Sequence, residues 1–186
     1  MTHATDDRPR ASAAFAGALL AAAALLTAPP AGAQYLAIHS FTFAEANDSH
    51  SPLVDGGNGF FYGTATFGGQ HSEGSVFQVD TSGNLTVLYS FNNTDGAQPF
   101  AGLILGQGFL YGTTSNGGTN GFGTVFKIGI DGNNFSTIHN FDGMNEGGDS
   151  FGSLVQGSDT TLYGVARNHG ANGFGTSCCN AVPSLS

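Results

Sequence analysis

Basic side chains are almost missing from this chain: Arg8, Arg10, Lys127 and Arg167 are all there are, against 13 Asp and Glu and a formal net charge of -9 at pH 7. Nucleic acid and anionic membrane surfaces need a row of cations to release counterions, so neither is expected as a partner. Tryptophan is absent, and the two cysteines, Cys178 and Cys179, are neighbours. Adjacent residues rarely reach good disulfide geometry, so stability must come from packing and strand pairing. Charged residues are 9% of the chain, against about 25% in an average domain. Past residue 33 there is no helical periodicity.

What the chain has in excess is glycine, 30 of 186 residues, together with 16 phenylalanines. Low charge with high glycine suits disorder, but Phe and β-branched residues supply the apolar surface that offsets chain entropy. The opening segment has a separate logic. Arg8 and Arg10 precede an Ala/Leu-rich stretch from Ala11 to Ala28, then Pro29-Pro30 and the small-residue triplet Ala31-Gly32-Ala33. This is the order of a secretory signal peptide over residues 1–33, cut before Gln34, with a retained anchor as the alternative. The expected location is therefore extracellular or at the cell surface, the periplasm being the alternative, with no retained membrane span.

The rest, residues 34–186, repeats itself. His39-Ser40-Phe41, Tyr89-Ser90-Phe91 and His139-Asn140-Phe141 recur every 50 residues. Tyr62-Gly63-Thr64, Tyr111-Gly112-Thr113 and Tyr163-Gly164-Val165 recur with them, each followed 12 residues after the tyrosine by Gly74, Gly123 or Gly175. Gly69, Gly118 and Gly170 hold matching places between. A repeat gives each local pattern a structural reason to exist. That matters for Gly118-Thr-Asn-Gly121-Phe122-Gly123, which by itself has the look of a kinase phosphate loop. A kinase has one such loop beside a catalytic Asp and a metal-binding Asp-Phe-Gly; here the loop comes three times without those partners. Lys127 follows no glycine directly, so a Walker reading fails as well.

Strand patterning accounts for the glycines. Leu103-Ile104-Leu105 and Phe109-Leu110-Tyr111 flank the turn Gly106-Gln107-Gly108; Thr124 to Ile130 alternates, with Phe126, Ile128 and Ile130 on one face and Lys127 on the other; Asp131-Gly132 turns the chain, and Phe135 to Phe141 forms a fourth strand. Leu85 to Phe91 is its counterpart one unit earlier. Four short strands per 40–50 residues predict an all-β fold, a β-propeller-like array of about three four-stranded repeats with the last incomplete. A β-solenoid is the alternative. The units are 35–91, 92–141 and 142–186. Tyr35 to Phe41 reads as a stray fourth strand, free to complete the last unit or that of a neighbouring molecule.

With Leu110-Tyr111-Gly112-Thr113-Thr114, Gly117-Gly118, Gly123-Thr124-Val125-Phe126-Lys127-Ile128 and Leu88-Tyr89-Ser90-Phe91 in view, the chain resembles the bacterial GloVer tandem-repeat (choice-of-anchor) family of exported proteins. The resemblance covers essentially all of residues 34–186. It implies a propeller-like exported protein with no assigned catalytic residue. Where the repeat has Val-Phe-Lys-Ile, the third copy has Ser177-Cys178-Cys179-Asn180 and stops at Ser186, the pattern expected of a truncated member.

Chemistry-bearing residues can each be read two ways. Gly148-Asp149-Ser150 has the look of a hydrolase nucleophile segment, but nothing in the sequence sets His139 or His169 beside it as a base. Asp48, Asp95 and Glu146 stand four residues before Pro52, Pro99 and Ser150 and could ring one rim as a site for Ca²⁺; the plainer reading is turn chemistry. His39 and His139 occupy the place of Tyr89, as an ordinary aromatic strand position would allow. Tyr62, Tyr111 and Tyr163 recur as packing residues do. Asn47, Asn84, Asn92 and Asn134 head N-x-Ser/Thr triplets that mean little without a glycosylating host. The expectation is a non-enzymatic exported module, without cofactor, that presents loops to a protein or polysaccharide and associates with itself to complete its blades. The alternatives are a carbohydrate-active or other hydrolytic propeller, and a non-functional fragment of a longer repeat protein.

Overall fold

The computed structural model describes residues 37–42, 44–158 and 161–178; the expected signal peptide, Tyr35, Leu36, Cys179 and residues 180–186 lie outside them. Among the described residues the fold is all-β, with no helix and so none long and apolar enough to cross a membrane. The first sheet is β1 (Val54–Asp55), β2 (Phe60–Ala65), β3 (Ser75–Asp80) and β4 (Leu85–Ser90). The second is β5 (Ile104–Gly106), β6 (Phe109–Thr114), β7 (Thr124–Gly129) and β8 (Ser136–Asn140). The third is β9 (Val155–Gln156), β10 (Leu162–Ala166) and β11 (Thr176–Cys178). Each is an antiparallel meander in chain order, of four, four and three strands.

The repeat is kept at the level of register. Tyr62 lies opposite Gln78 and Tyr111 opposite Lys127. Both complete sheets carry an irregularity at the same place, between Val76 and Phe77 and between Val125 and Phe126. The turns follow the residues that make them: the carboxylate of Asp131 accepts the Asn133 amide at 2.9 Å, and that of Asp80 accepts Ser82 at 2.8 Å.

Because strand side chains alternate, each sheet has two faces, and the middle sheet buries both. Leu110 points back to the first sheet, while its neighbour Tyr111 points on to the third; both are fully buried. The first boundary joins Tyr62, Val76 and Phe91 to Leu103, Leu110, Phe126 and Ile128. The second joins Tyr111, Val125 and Phe141 to Leu154 and Leu162, the equivalent residues one unit on. Each such side chain contributes about 1.5–3 kcal/mol by leaving water. The recurring Tyr-Gly is part of this packing. A Cβ on Gly112 would lie 2.6 Å from Phe126 and 2.9 Å from Leu103, and one on Gly63 would lie 2.7 Å from both Phe77 and Leu53. Glycine is needed there for space, since the next side chains lie over it.

Two expectations change. Tyr35 to Phe41 was to be a strand, yet its described part, Ala37 to Phe41, has none, having no sheet edge beside it to pair with. It lies instead on the first sheet, with His39 Nδ1 2.8 Å from the carbonyl oxygen of Gly83 and Phe41 packed on Phe77. It also adds no strand to the third sheet, whose described order is β11-β10-β9.

Candidate functional site

Two families of loops gather the residues capable of chemistry. The glycine-rich loops run from β2 to β3, β6 to β7 and β10 to β11. Each is closed by the same backbone bond: the Gly74, Gly123 and Gly175 amides donate to the carbonyls of Gly68 at 3.2 Å, Gly117 at 3.0 Å and His169 at 2.8 Å. These closing glycines have φ of +98°, +93° and +88°. A Cβ on Gly74 would stand 2.7 Å from the Ala65 carbonyl oxygen, so no other residue fits. Three amides of the central loop are already committed: Gly118 donates to the Asn93 carbonyl at 2.8 Å, Thr119 to Asn140 Oδ1 at 2.9 Å and Gly121 to the Gly118 carbonyl at 3.3 Å. A phosphate cradle needs amides aimed outward. The loop instead ties its unit to the next, where Asp149 donates to the Phe122 carbonyl at 3.2 Å as Gln98 donates to Glu73 at 2.8 Å.

The second family connects one sheet to the next and carries most of the acidic residues of interest. Asp95 accepts the Tyr89 hydroxyl at 2.6 Å, Glu146 lies 2.8 Å from His139 Nε2, and Glu45 lies 3.6 Å from His39 Nε2. These are one position in three copies, an aromatic or imidazole ring, near the end of β4 for Tyr89 and of β8 for His139, facing a carboxylate in the loop after it. The Tyr89 hydroxyl is pushed well up from its ordinary value, first by burial and then by the bond to Asp95. Glu45 is lowered by hydrogen bonds from the Thr42 hydroxyl and amide. Asp142, which opens the third loop, is lowered by the amides of Glu146, Met144 and Asn145.

Asp48 belongs to a different position. Matching Pro52 with Pro99 sets it level with Asp95, but the backbone sets it level with Gln98: Thr66 donates to the Asp48 carbonyl at 3.2 Å and Ser115 to that of Gln98 at 3.1 Å. Asp48, Gln98 and Asp149 also share a positive φ, of 65°, 54° and 52°. Their partners are His50 at 3.4 Å, the Asn116 amide at 2.7 Å and the Asn168 amide at 2.9 Å. Glu45, and not Asp48, is thus the counterpart of Asp95 and Glu146. Its spacing from His39, the same as that of Asp95 from Tyr89 and one residue short of that of Glu146 from His139, was the available signal. No group of three or more His, Cys, Asp or Glu among the described residues is arranged to hold a metal ion.

Next to these carboxylates runs a row of rings that the sequence reading missed. His50 lies 5.8 Å from Phe100, Phe100 lies 4.6 Å from Phe151, and the Arg167 guanidinium sits 5.0 Å above Phe151. His50 and Phe151 are exposed and Phe100 is half-buried. Ser150 is buried, its hydroxyl donating to the Val165 carbonyl at 3.0 Å, while His169 faces Asp149 at 3.6 Å and the edge of Phe122 at 5.0 Å. His139 is held by Glu146.

A search of the curated proteins finds no match. The family model of the Gloeobacter/Verrucomicrobia repeat matches residues 16–178, a span that starts inside the expected signal peptide and takes in all three sheets. With most of the chain matched and its loops and boundaries recurring position by position, the protein belongs to the Gloeobacter/Verrucomicrobia repeat family.

Proposed function

We propose that this chain is an exported, non-enzymatic binding module whose sheets are blades of a propeller-like array. In this reading the loops between sheets face a polysaccharide, and no cofactor takes part. The observation that carries it is the even spread of functional groups. The same pairing of a ring with a carboxylate in the loop that follows it comes once before each sheet, as His39 with Glu45, Tyr89 with Asp95 and His139 with Glu146. An enzyme concentrates nucleophile, base and charge stabiliser at one point; a scaffold repeats equivalent contacts along its length. The row His50, Phe100 and Phe151, flanked by Asp48, Gln98, Asn116 and Asn168, combines apolar ring edges with amide and carboxylate partners. Sugar hydroxyls and C–H faces need that combination.

The test is affinity electrophoresis of the secreted protein through gels containing soluble polysaccharides, with and without calcium. Retardation by at least one polysaccharide, reduced in Phe100→Ala and Phe151→Ala, is expected in both conditions. Release of reducing sugar from the retarding polysaccharide would make the protein an enzyme and refute the reading, as would free migration in every gel.

A further inference from the structure

The two sheet boundaries are copies of each other, so the outer faces of the first and third sheets are the two halves of a third such boundary. On the third sheet Val155 and Val165 stand 64% and 52% exposed, at the places where Ile104 and Thr113 are covered by the next unit. With Ser153, Tyr163 and Gly164 they line a shallow depression of about 180 Å³. Phe174, in the glycine loop of the same unit, is 91% exposed, whereas its equivalent Phe122 packs on Gly143 and Gly148 of the unit that follows. On the first sheet Phe77 and Val79 are already covered, in a cluster with Ala46 and Ala65, but Leu53, Ile38 and Phe41 beside them are 46%, 42% and 44% exposed, while the Leu53 equivalents Leu103 and Leu154 are buried at the two existing boundaries.

Ala37 to Phe41 supplies the second observation. Relative to the first sheet this segment lies where Val87 to Phe91 lies relative to the second. Phe41 meets Phe77 at 5.3 Å as Phe91 meets Phe126 at 5.1 Å, and Gly83 approaches the backbone of Ile38 as Gly132 approaches that of Leu88. The segment therefore holds, on the first sheet, the place that the end of a fourth strand holds on the second, without being a strand itself, and no strand is paired with it among the described residues. The third sheet, in its described residues, has three strands and no fourth.

We propose that a second copy of this chain docks there, the outer face of its third sheet on the apolar surface that Leu53, Ile38 and Phe41 present over the first. Residues 37–41 of each chain would then complete the three-stranded sheet of the other. Two chains alternating head to tail form a closed two-fold ring of six sheets, within the range of about four to eight that closed propellers use. The docking rests on the repeated boundary; the ring rests also on the propeller reading above.

Light scattering on the purified secreted chain, over micromolar concentrations, tests this. The expected mass is that of two chains. Val165→Asp and Phe174→Ser, both solvent-facing in the single chain, should each give a monomer with unchanged far-ultraviolet circular dichroism. For Val165→Asp the dissociation constant should rise about a hundredfold or more, because the new carboxylate would be buried unpaired. Leu53→Asp should do the same from the opposite face. Mixing Val165→Asp with Leu53→Asp should restore a dimer, since one of its two boundaries is then wholly native. A monomer at every concentration, with the faces open or covered by the chain's own ends, overturns the docking alone. So does a dimer indifferent to these substitutions, or a mixture that stays monomeric. Open chains of more than two copies overturn the ring and the propeller reading with it.

Discussion

Phe41 meets Phe77 edge to face, ring centroids 5.3 Å apart at 63°, one unit before Phe91 meets Phe126 at 5.1 Å and 68°. The contacts are alike and their settings are not: Phe91 is fully buried between two sheets, whereas Phe41 lies over the first sheet and is 44% exposed. Phe91→Ala should therefore cost about 3–5 kcal/mol, as for other buried Phe truncations. Phe41→Ala should cost less than half of that in the dissociated chain. Urea unfolding midpoints at equal slope measure both.

Glycine is required for two different reasons, which alanine separates. Gly112→Ala meets Phe126 at 2.6 Å and Leu103 at 2.9 Å and should destabilise by about 1–3 kcal/mol through overpacking. Gly108, at φ +79° with open space around it, should lose about 1–2 kcal/mol from backbone strain alone. Shaving Phe126 to Leu should relieve the first cost and leave the second untouched. A double-mutant cycle reads the difference.

Two tyrosine hydroxyls should respond in opposite ways. Tyr89→Phe keeps the ring stack on Phe135 at 3.7 Å and deletes the 2.6 Å bond to Asp95, so a loss of about 1.5–3 kcal/mol is expected. The buried hydroxyl of Tyr111 finds no hydrogen-bond partner among the described residues. Tyr111→Phe removes that unpaired group and should be neutral or stabilising by about 1 kcal/mol. Thermal or urea unfolding of the two variants side by side decides.

Stability should fall at both ends of the pH scale. Glu45, Asp80, Asp131 and Asp142 are lowered in the folded chain, chiefly by hydrogen bonds from Thr42, Asn84, Asn133 and the Glu146 amide. A lowered carboxyl stabilises the fold above its ordinary value, 4.5 for Glu and 3.8 for Asp, and that contribution goes as pH drops through the folded value. Tyr89 and Tyr111 are raised, by burial first. Their contribution is complete below the ordinary value of 10.0 and declines as pH rises through the folded value. Unfolding midpoints should be flat between these limits. Phenolate absorbance in a pH titration should show Tyr89 ionising only with unfolding.

Much of the fold could be read from residue order. The spacing of Tyr62, Tyr111 and Tyr163 from their glycines fixed the unit; alternation placed β7 within a residue of its observed ends and β6 at its observed start, though β6 runs past Tyr111 to Thr114. Both signals are local, since turn chemistry and side-chain alternation depend on neighbours in sequence. The connecting loops were harder. They differ in length between copies, so proline matching set Asp48 level with Asp95, while backbone bonds to Thr66 and Ser115 set it level with Gln98. The row His50, Phe100 and Phe151 was hidden for the same reason.

By itself, then, the sequence determined the strand, the turn and the period, because those follow from φ preferences and from which side each residue faces. Only the tertiary structure decided which faces meet: that Tyr62 and Tyr111 close successive boundaries, and that Phe41 lies on Phe77 while residues 37–41 add no strand of their own. Strand pairing needs an edge, and face packing needs a neighbouring sheet. Neither is a property of a segment taken alone.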